Sequence, residues 1–171
     1  MSRSILRGTL AGIAGGLFAS WVMNEFMAGP GEALTGAVET PRDKFILKHQ
    51  SGGEDATMHA ADKIAEFTTG GRHLTHEQRA RAGPFVHYAF GAIAGGVYGA
   101  LAEVTPAVTS GFGTSFGSVL FTGADALAIP AFKLSIPLKE TPPSSLAAPF
   151  AAHLVYGIST ELIRRLIRKV L

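Results

Sequence analysis

The chain of 171 residues contains no cysteine. That excludes disulfides, thiolate metal sites and thiol catalysis. Charge is scarce as well, at 16% of residues, against about 25% in an ordinary soluble domain. The formal net charge is only +2 and the basic residues are scattered, so nothing offers nucleic acid a basic face. The short patterns of familiar chemistry are missing too. There is no nucleophile elbow and no Walker-type loop. Gly15-Gly16 and Gly95-Gly96 lie inside apolar runs, where they cannot cradle a phosphate. No HExxH or ExxH pattern occurs, and no ligand spacing supports a metal or haem site in the apolar segments. The chain reads as a protein that is not an enzyme and carries no resident cofactor.

Glycine and apolar side chains are what it has in quantity. There are 21 glycines, 47% of residues are hydrophobic, and the mean hydropathy is +0.26. A glycine inside a soluble helix costs about 1 kcal/mol against alanine. Membrane helices tolerate glycine and use it for close packing. Four segments approach the roughly 20 apolar residues that a bilayer crossing needs. They run over 5–28, 84–103, 111–132 and 146–167. The expected fold is all-α: a single integral membrane bundle of about four helices. The first segment is too long for a typical signal peptide and no A-x-A site follows it, so it reads as a span. Pro84 suits the first position of the second helix. Pro130 is expected to bend or end the third, and Pro142-Pro143 marks the connection to the fourth.

The connection 29–83 differs in composition. It holds seven of the fifteen Lys and Arg and eight of the thirteen Asp and Glu. Thr40-Pro41-Arg42-Asp43 reads as the start of a short helix. Residues 54–69 carry Met58, Ala61, Ile64, Ala65 and Phe67 at near-helical spacing. Thr75 and Gln78 fit a capping box. Short helices on the membrane surface, or a cap over the bundle, would both suit this stretch. Arg3 and Arg7 flank one terminus, and Arg164, Arg165, Arg168 and Lys169 the other. Basic flanks favour the cytoplasm, so both termini are expected inside and the loop outside.

Each span carries small or polar residues four apart, which share one helix face. The rows are Gly8, Gly12, Gly16, Ser20 and Asn24; His87, Gly91, Gly95, Gly99 and Glu103; Gly113, Gly117, Phe121 and Asp125; and His153, Gly157, Glu161 and Arg165. Small residues in rows let helix backbones approach. Their ends are titratable, and ionisable groups inside a bilayer tend to face the bundle interior and to pair. Two layers are expected. Glu25, His87, Asp125 and His153 fall toward the loop side. Glu103, Glu161 and Arg165 fall toward the terminal side as structural ion pairs. Three uses of the loop-side layer stand open: pairs that fix helix register, a proton- or ion-handling site, or a metal or haem site. His87 and His153 are the candidate ligands of a divalent metal or a haem iron.

From His87 onward the chain resembles the YagU-like family of bacterial inner-membrane proteins. The matching residues are His87, Tyr98-Gly99, Ala102-Glu103-Val104, Pro106, Pro130, His153, Glu161 and Arg164-Arg165. The resemblance implies a small multi-span protein of the bacterial inner membrane with a link to acid tolerance. Besides the lipid bilayer, its partner would be a second copy or a larger membrane complex docked through the glycine faces.

Overall fold

The structure, a computed structural model, describes residues 4–51, 54–135 and 138–171. Arg3, one of the basic flanks, lies outside the described residues. Within them the chain is helical and contains no strand. Four helical stretches are long and apolar enough to cross a membrane: Ile5–Val38, His76–Val104, Pro106–Ala131 and Pro143–Arg168.

The first begins as α1 (Ile5–Phe26), with the Ser4 hydroxyl accepting the Arg7 N–H. It does not end near residue 28. A π turn, Met27–Gly31, carries it into α2 (Glu32–Val38). Pro30, which lacks an N–H, lies inside that turn. The wider turn absorbs the hydrogen bond that proline removes from a regular ladder. α3 (Pro41–Ser51) starts where expected, with the Thr40 hydroxyl accepting the Asp43 N–H and the Asp43 carboxylate accepting the Thr40 N–H. α4 (Ala56–Thr69) is capped by Asp55 and ends at Gly70, whose φ of 75° is the left-handed conformation that glycine adopts freely.

The second span, α5 (His76–Val104), opens on the Thr75–Gln78 capping box. Pro84 therefore sits inside the helix and not at its first position. The cap nucleates about two turns earlier than proline would, and one missing N–H does not stop the ladder.

The third span is the least regular. It comprises a 3-10 stretch, Pro106–Gly113, then α6 (Thr114–Leu120), a π segment Phe121–Ala128, and α7 (Ile129–Ala131). The chain kinks at Gly111 and Phe112, with φ of 63° and 54°. The Arg165 guanidinium lies 4.7 Å from the Phe112 ring centroid and braces this strained residue. The helix ends one residue past Pro130. The fourth span is α8 (Ala147–Arg168), entered through a 3-10 turn, Pro143–Leu146.

The spans form a row, in the order α5, α1, α8, third span. α1 packs against both α5 and α8, and α6 packs against α8. The series folds round, so that α5 and α6 of the third span face each other with little backbone contact. Side chains meet across that gap: Tyr98 of α5 stacks on Phe116 of α6 at 4.3 Å between centroids. α8 also reaches α5, where the Tyr156 O–H donates to the Gly91 carbonyl at 2.6 Å.

α1 holds the centre because small residues cover it. Ala11, Ala19 and Ser20 are wholly buried. Its contact with α5 is nearly bare backbone. A β-carbon on Gly12 would overlap the carbonyl oxygen of Gly95, and one on Gly16 that of Gly91. The relation is reciprocal at Gly95 and extends to Gly99 against Gly8. On another side of α1, a β-carbon on Gly15 would stand 2.7 Å from the Thr160 carbonyl oxygen of α8. A second contact of the same kind joins the third span to α8, with Gly113 against Gly157 and Gly117 against the carbonyl of His153.

Polar pairs dock the connection on α5. The Glu54 carboxylate accepts from His76 Nδ1 at 2.6 Å and from Arg79 Nη2 at 2.8 Å. Asp62 accepts from His73 Nδ1 at 2.9 Å and from the Leu74 N–H at 2.6 Å. The hydrogen bond from His76, then Arg79, holds the Glu54 carboxyl below the usual carboxylate range. His73 does the same for Asp62.

Two predictions follow from these contacts. Gly95→Leu should lower unfolding stability in detergent by about 1–3 kcal/mol or more, because nothing but backbone lies opposite it. Ile93→Leu, at a position 66% exposed, should stay within about 0.5 kcal/mol. Equal losses on thermal unfolding would show that this face is not a close contact. The second concerns acid. Carboxyls held low stabilise the docked α4 above the ordinary carboxylate value, and that contribution is lost as pH falls through the folded value, below about pH 4. Protection factors of the α4 amides, corrected for the intrinsic exchange rate, should therefore fall below that pH. Glu54→Gln should lower them already at neutral pH and flatten the profile; identical profiles would refute this.

Candidate functional site

The terminal-side layer is an ion network around two buried glutamates. Glu161 of α8 is wholly buried. It accepts from the Tyr98 hydroxyl at 2.8 Å, from Arg164 Nε at 2.7 Å and Nη2 at 2.9 Å, and from Arg165 Nε. Glu103 of α5 accepts from Arg168 Nε at 2.6 Å and Nη2 at 3.0 Å, and from the Ser4 N–H at 3.1 Å. Helical spacing makes this possible, since Arg164, Arg165 and Arg168 lie one and two turns beyond Glu161. The sequence reading placed Glu103, Glu161 and Arg165 here. It put Arg164 near them without a partner, left Arg168 as a membrane flank and missed Tyr98 as a donor. The signal was the spacing of Arg164 and Arg168 behind Glu161, which puts all three on the buried face of α8.

The loop-side layer is looser. Asp125 Oδ2 lies 3.7 Å from His153 Nδ1. That nitrogen also sits 2.9 Å from the Pro149 carbonyl oxygen, which can only accept, so Nδ1 carries the proton. His87 Nε2 approaches the Ser20 carbonyl at 3.4 Å. His87, Asp125 and His153 line one cavity of about 470 Å³, between α5 and the third span. Asp125 is carried by the π segment, whose i→i+5 turn keeps residues four apart nearer one face than a regular helix does. Phe121 and Asp125 thus both reach the neighbourhood of His153, with the Phe121 ring 5.6 Å from the imidazole.

Glu25 does not join them. It is exposed and lines neither this cavity nor its neighbour. The face of α1 that meets α5 carries Gly16 and Ser20, and Glu25 lies a step round from it. Among the described residues no three His, Asp or Glu side chains gather as a metal ion requires. His87 and His153 share the cavity without a third ligand at coordinating distance.

A second cavity, of about 620 Å³, lies between the connection and the bundle. Its wall includes Glu39, Glu54, His59 and Lys133. Asp55, Ala56, Asp125, Ile129 and Leu134 border both cavities. Asp125 is thus the charged side chain of the third span that faces both spaces.

Glu161→Ala would strand buried guanidiniums and should cost about 3–5 kcal/mol of unfolding stability. Arg165→Ala removes a side chain 48% exposed and should cost no more than about 1 kcal/mol. Denaturant unfolding in detergent compares the two; similar small losses would mean that the network does not hold the bundle.

No curated protein and no solved structure matches the chain. A family model described as "Protein of unknown function (DUF1440)" matches residues 64–162. The match runs from α4 to α8 and takes in the histidines and acids of both layers that face the interior, His87, Glu103, Asp125, His153 and Glu161, and ends before Arg164 and Arg168. With more than half of its length matched, the chain belongs to the DUF1440 family.

Proposed function

We propose that this is a non-enzymatic, multi-span protein of the bacterial inner membrane whose His87–Asp125–His153 cluster takes up and releases protons in response to conditions on the loop side. The observation that carries the reading is the position of Asp125. It stands 3.7 Å from an imidazole nitrogen and borders both the cavity in the bundle and the one under the connection. A carboxylate and two imidazoles in one apolar space are the groups whose protonation changes between neutral and mildly acid pH. The YagU-like resemblance, with its link to acid tolerance, points the same way.

Other charged groups stand near the cluster. Asp55 at the start of α4 lies on the wall of both cavities, and Glu39, Glu54, His59 and Lys133 line the second. For orientation, Arg7, Arg164, Arg165, Arg168 and Lys169 gather at one end of the bundle, where Glu103 meets both Ser4 and Arg168. By the preference of basic flanks for the cytoplasm, that end is inside and the connection outside. The alternative, an accessory subunit or homo-oligomer docked through glycine faces, draws less support. The glycines of these rows face helices of the same chain.

The test is an NMR titration of the His87 and His153 rings in nanodiscs. Their midpoints should move in Asp125→Asn and stay in Glu103→Gln, which alters the other layer. Midpoints that ignore Asp125 would leave the cluster a set of neighbours that only fix packing.

A further inference from the structure

Most hydrogen-bond donors on the wall of the bundle cavity are already spent. The Tyr156 O–H donates to the Gly91 carbonyl at 2.6 Å. The Thr57 hydroxyl donates to Asp55 at 2.7 Å. His153 Nδ1 donates to the Pro149 carbonyl at 2.9 Å, and His87 Nε2 points to the Ser20 carbonyl at 3.4 Å. What remains, with both rings neutral, is chiefly a set of acceptors beside the Ser20 hydroxyl: the carboxylates of Asp125 and Asp55 and the second nitrogen of each imidazole. Among the described residues no lysine or arginine lines this cavity. Ser20, wholly buried on the same wall, has a hydroxyl with no hydrogen-bond partner. The rest of the wall is apolar, and the rings of Phe90 and Phe132, exposed by 48% and 71%, stand at its edge.

An anion among unused acceptors, in an apolar space, is complementary to a cation that brings its own donors. We propose that this cavity binds a small lipophilic ammonium, with its N–H groups on Asp125 and an imidazole and its apolar body among the aromatic and aliphatic side chains. A volume of about 470 Å³ suits a ring and a short chain. The proposal deepens the proton reading and rests on it in one respect. Protonation of His87 or His153 turns an acceptor into a donor and adds a like charge, so protons and the ammonium compete for the site.

Phenethylammonium and the neutral phenethyl alcohol serve as probes, added to the protein in nanodiscs at about pH 8 and about pH 5, on either side of the ordinary histidine range. The ring signals of His87 and His153 report binding. At the higher pH the ammonium should bind saturably and at least ~10-fold more tightly than the alcohol, since a charge-assisted hydrogen bond is at stake. Asp125→Asn should abolish that preference and Asp125→Glu should keep it, which also controls for folding. Affinity for the ammonium should fall at the lower pH. Equal affinity for the two probes, or a preference that survives Asp125→Asn, would overturn the ammonium site whatever the ligand-free titration shows. Ammonium affinity equal at both pH values would overturn the competition. An Asp125-dependent preference beside a ligand-free titration that ignores Asp125 would leave the binding site standing and remove the proton reading.

Discussion

α1 and α5 touch backbone to backbone, and the rest of the bundle is arranged around that contact. Inside lipid the hydrophobic effect does not drive helices together. Dispersion at close range must do so, and it requires side chains small enough to let main chains meet. Gly12 against Gly95, and Gly16 against Gly91, leave no room for a β-carbon. A helix committed this closely on one side still has another side free. α1 spends that side on α8 through Gly15 and Thr160, and so becomes the middle member of the row.

The row explains why polar chemistry collects where it does. α5 and α6 of the third span share little backbone contact and meet through side chains. At the terminal end charged side chains join α5 to α8: Glu103 with Arg168, and Glu161 with Tyr98, Arg164 and Arg165. Burying such ions is costly unless every oxygen and nitrogen is engaged, and here each glutamate takes several donors. Midway, the stacked Tyr98 and Phe116 rings fill the gap. Toward the loop the cavity with His87, Asp125 and His153 lies between α5 and the third span. One geometry thus yields a sealed end and an open one.

Much of this was legible in the sequence. The low charge and the four apolar segments give the bundle, and the rows four apart give its inward faces. Thr75 with Gln78, and Thr40 with Asp43, mark helix starts through local hydrogen bonds that depend on neighbours in the chain alone. The misreadings share a cause. Pro84 looks like a helix start and the first apolar run stops near residue 28, yet α5 begins before the one and the first span continues past the other. The π segment around Asp125 leaves no mark either, because a spacing of four fits an α turn and a π turn about equally over so short a run. Glu25 was placed by depth, and depth does not specify rotation about the helix axis. Arg168 looked like a membrane flank until Glu103 was seen opposite it.

The register of α1 on α5 has a mechanical meaning. Ser4 meets Glu103, Gly8 meets Gly99, Gly12 meets Gly95, Gly16 meets Gly91, and Ser20 meets His87. The glycine stretch is a smooth track whose natural step is one helical turn, about 5.4 Å. Slid by that step, most glycines would still oppose glycines, so the track alone defines several nearly equivalent positions. The polar pairs at its two ends break the degeneracy and act as detents. A change of charge at Glu103 or His87 would therefore be felt as a loosening of sliding along the whole interface.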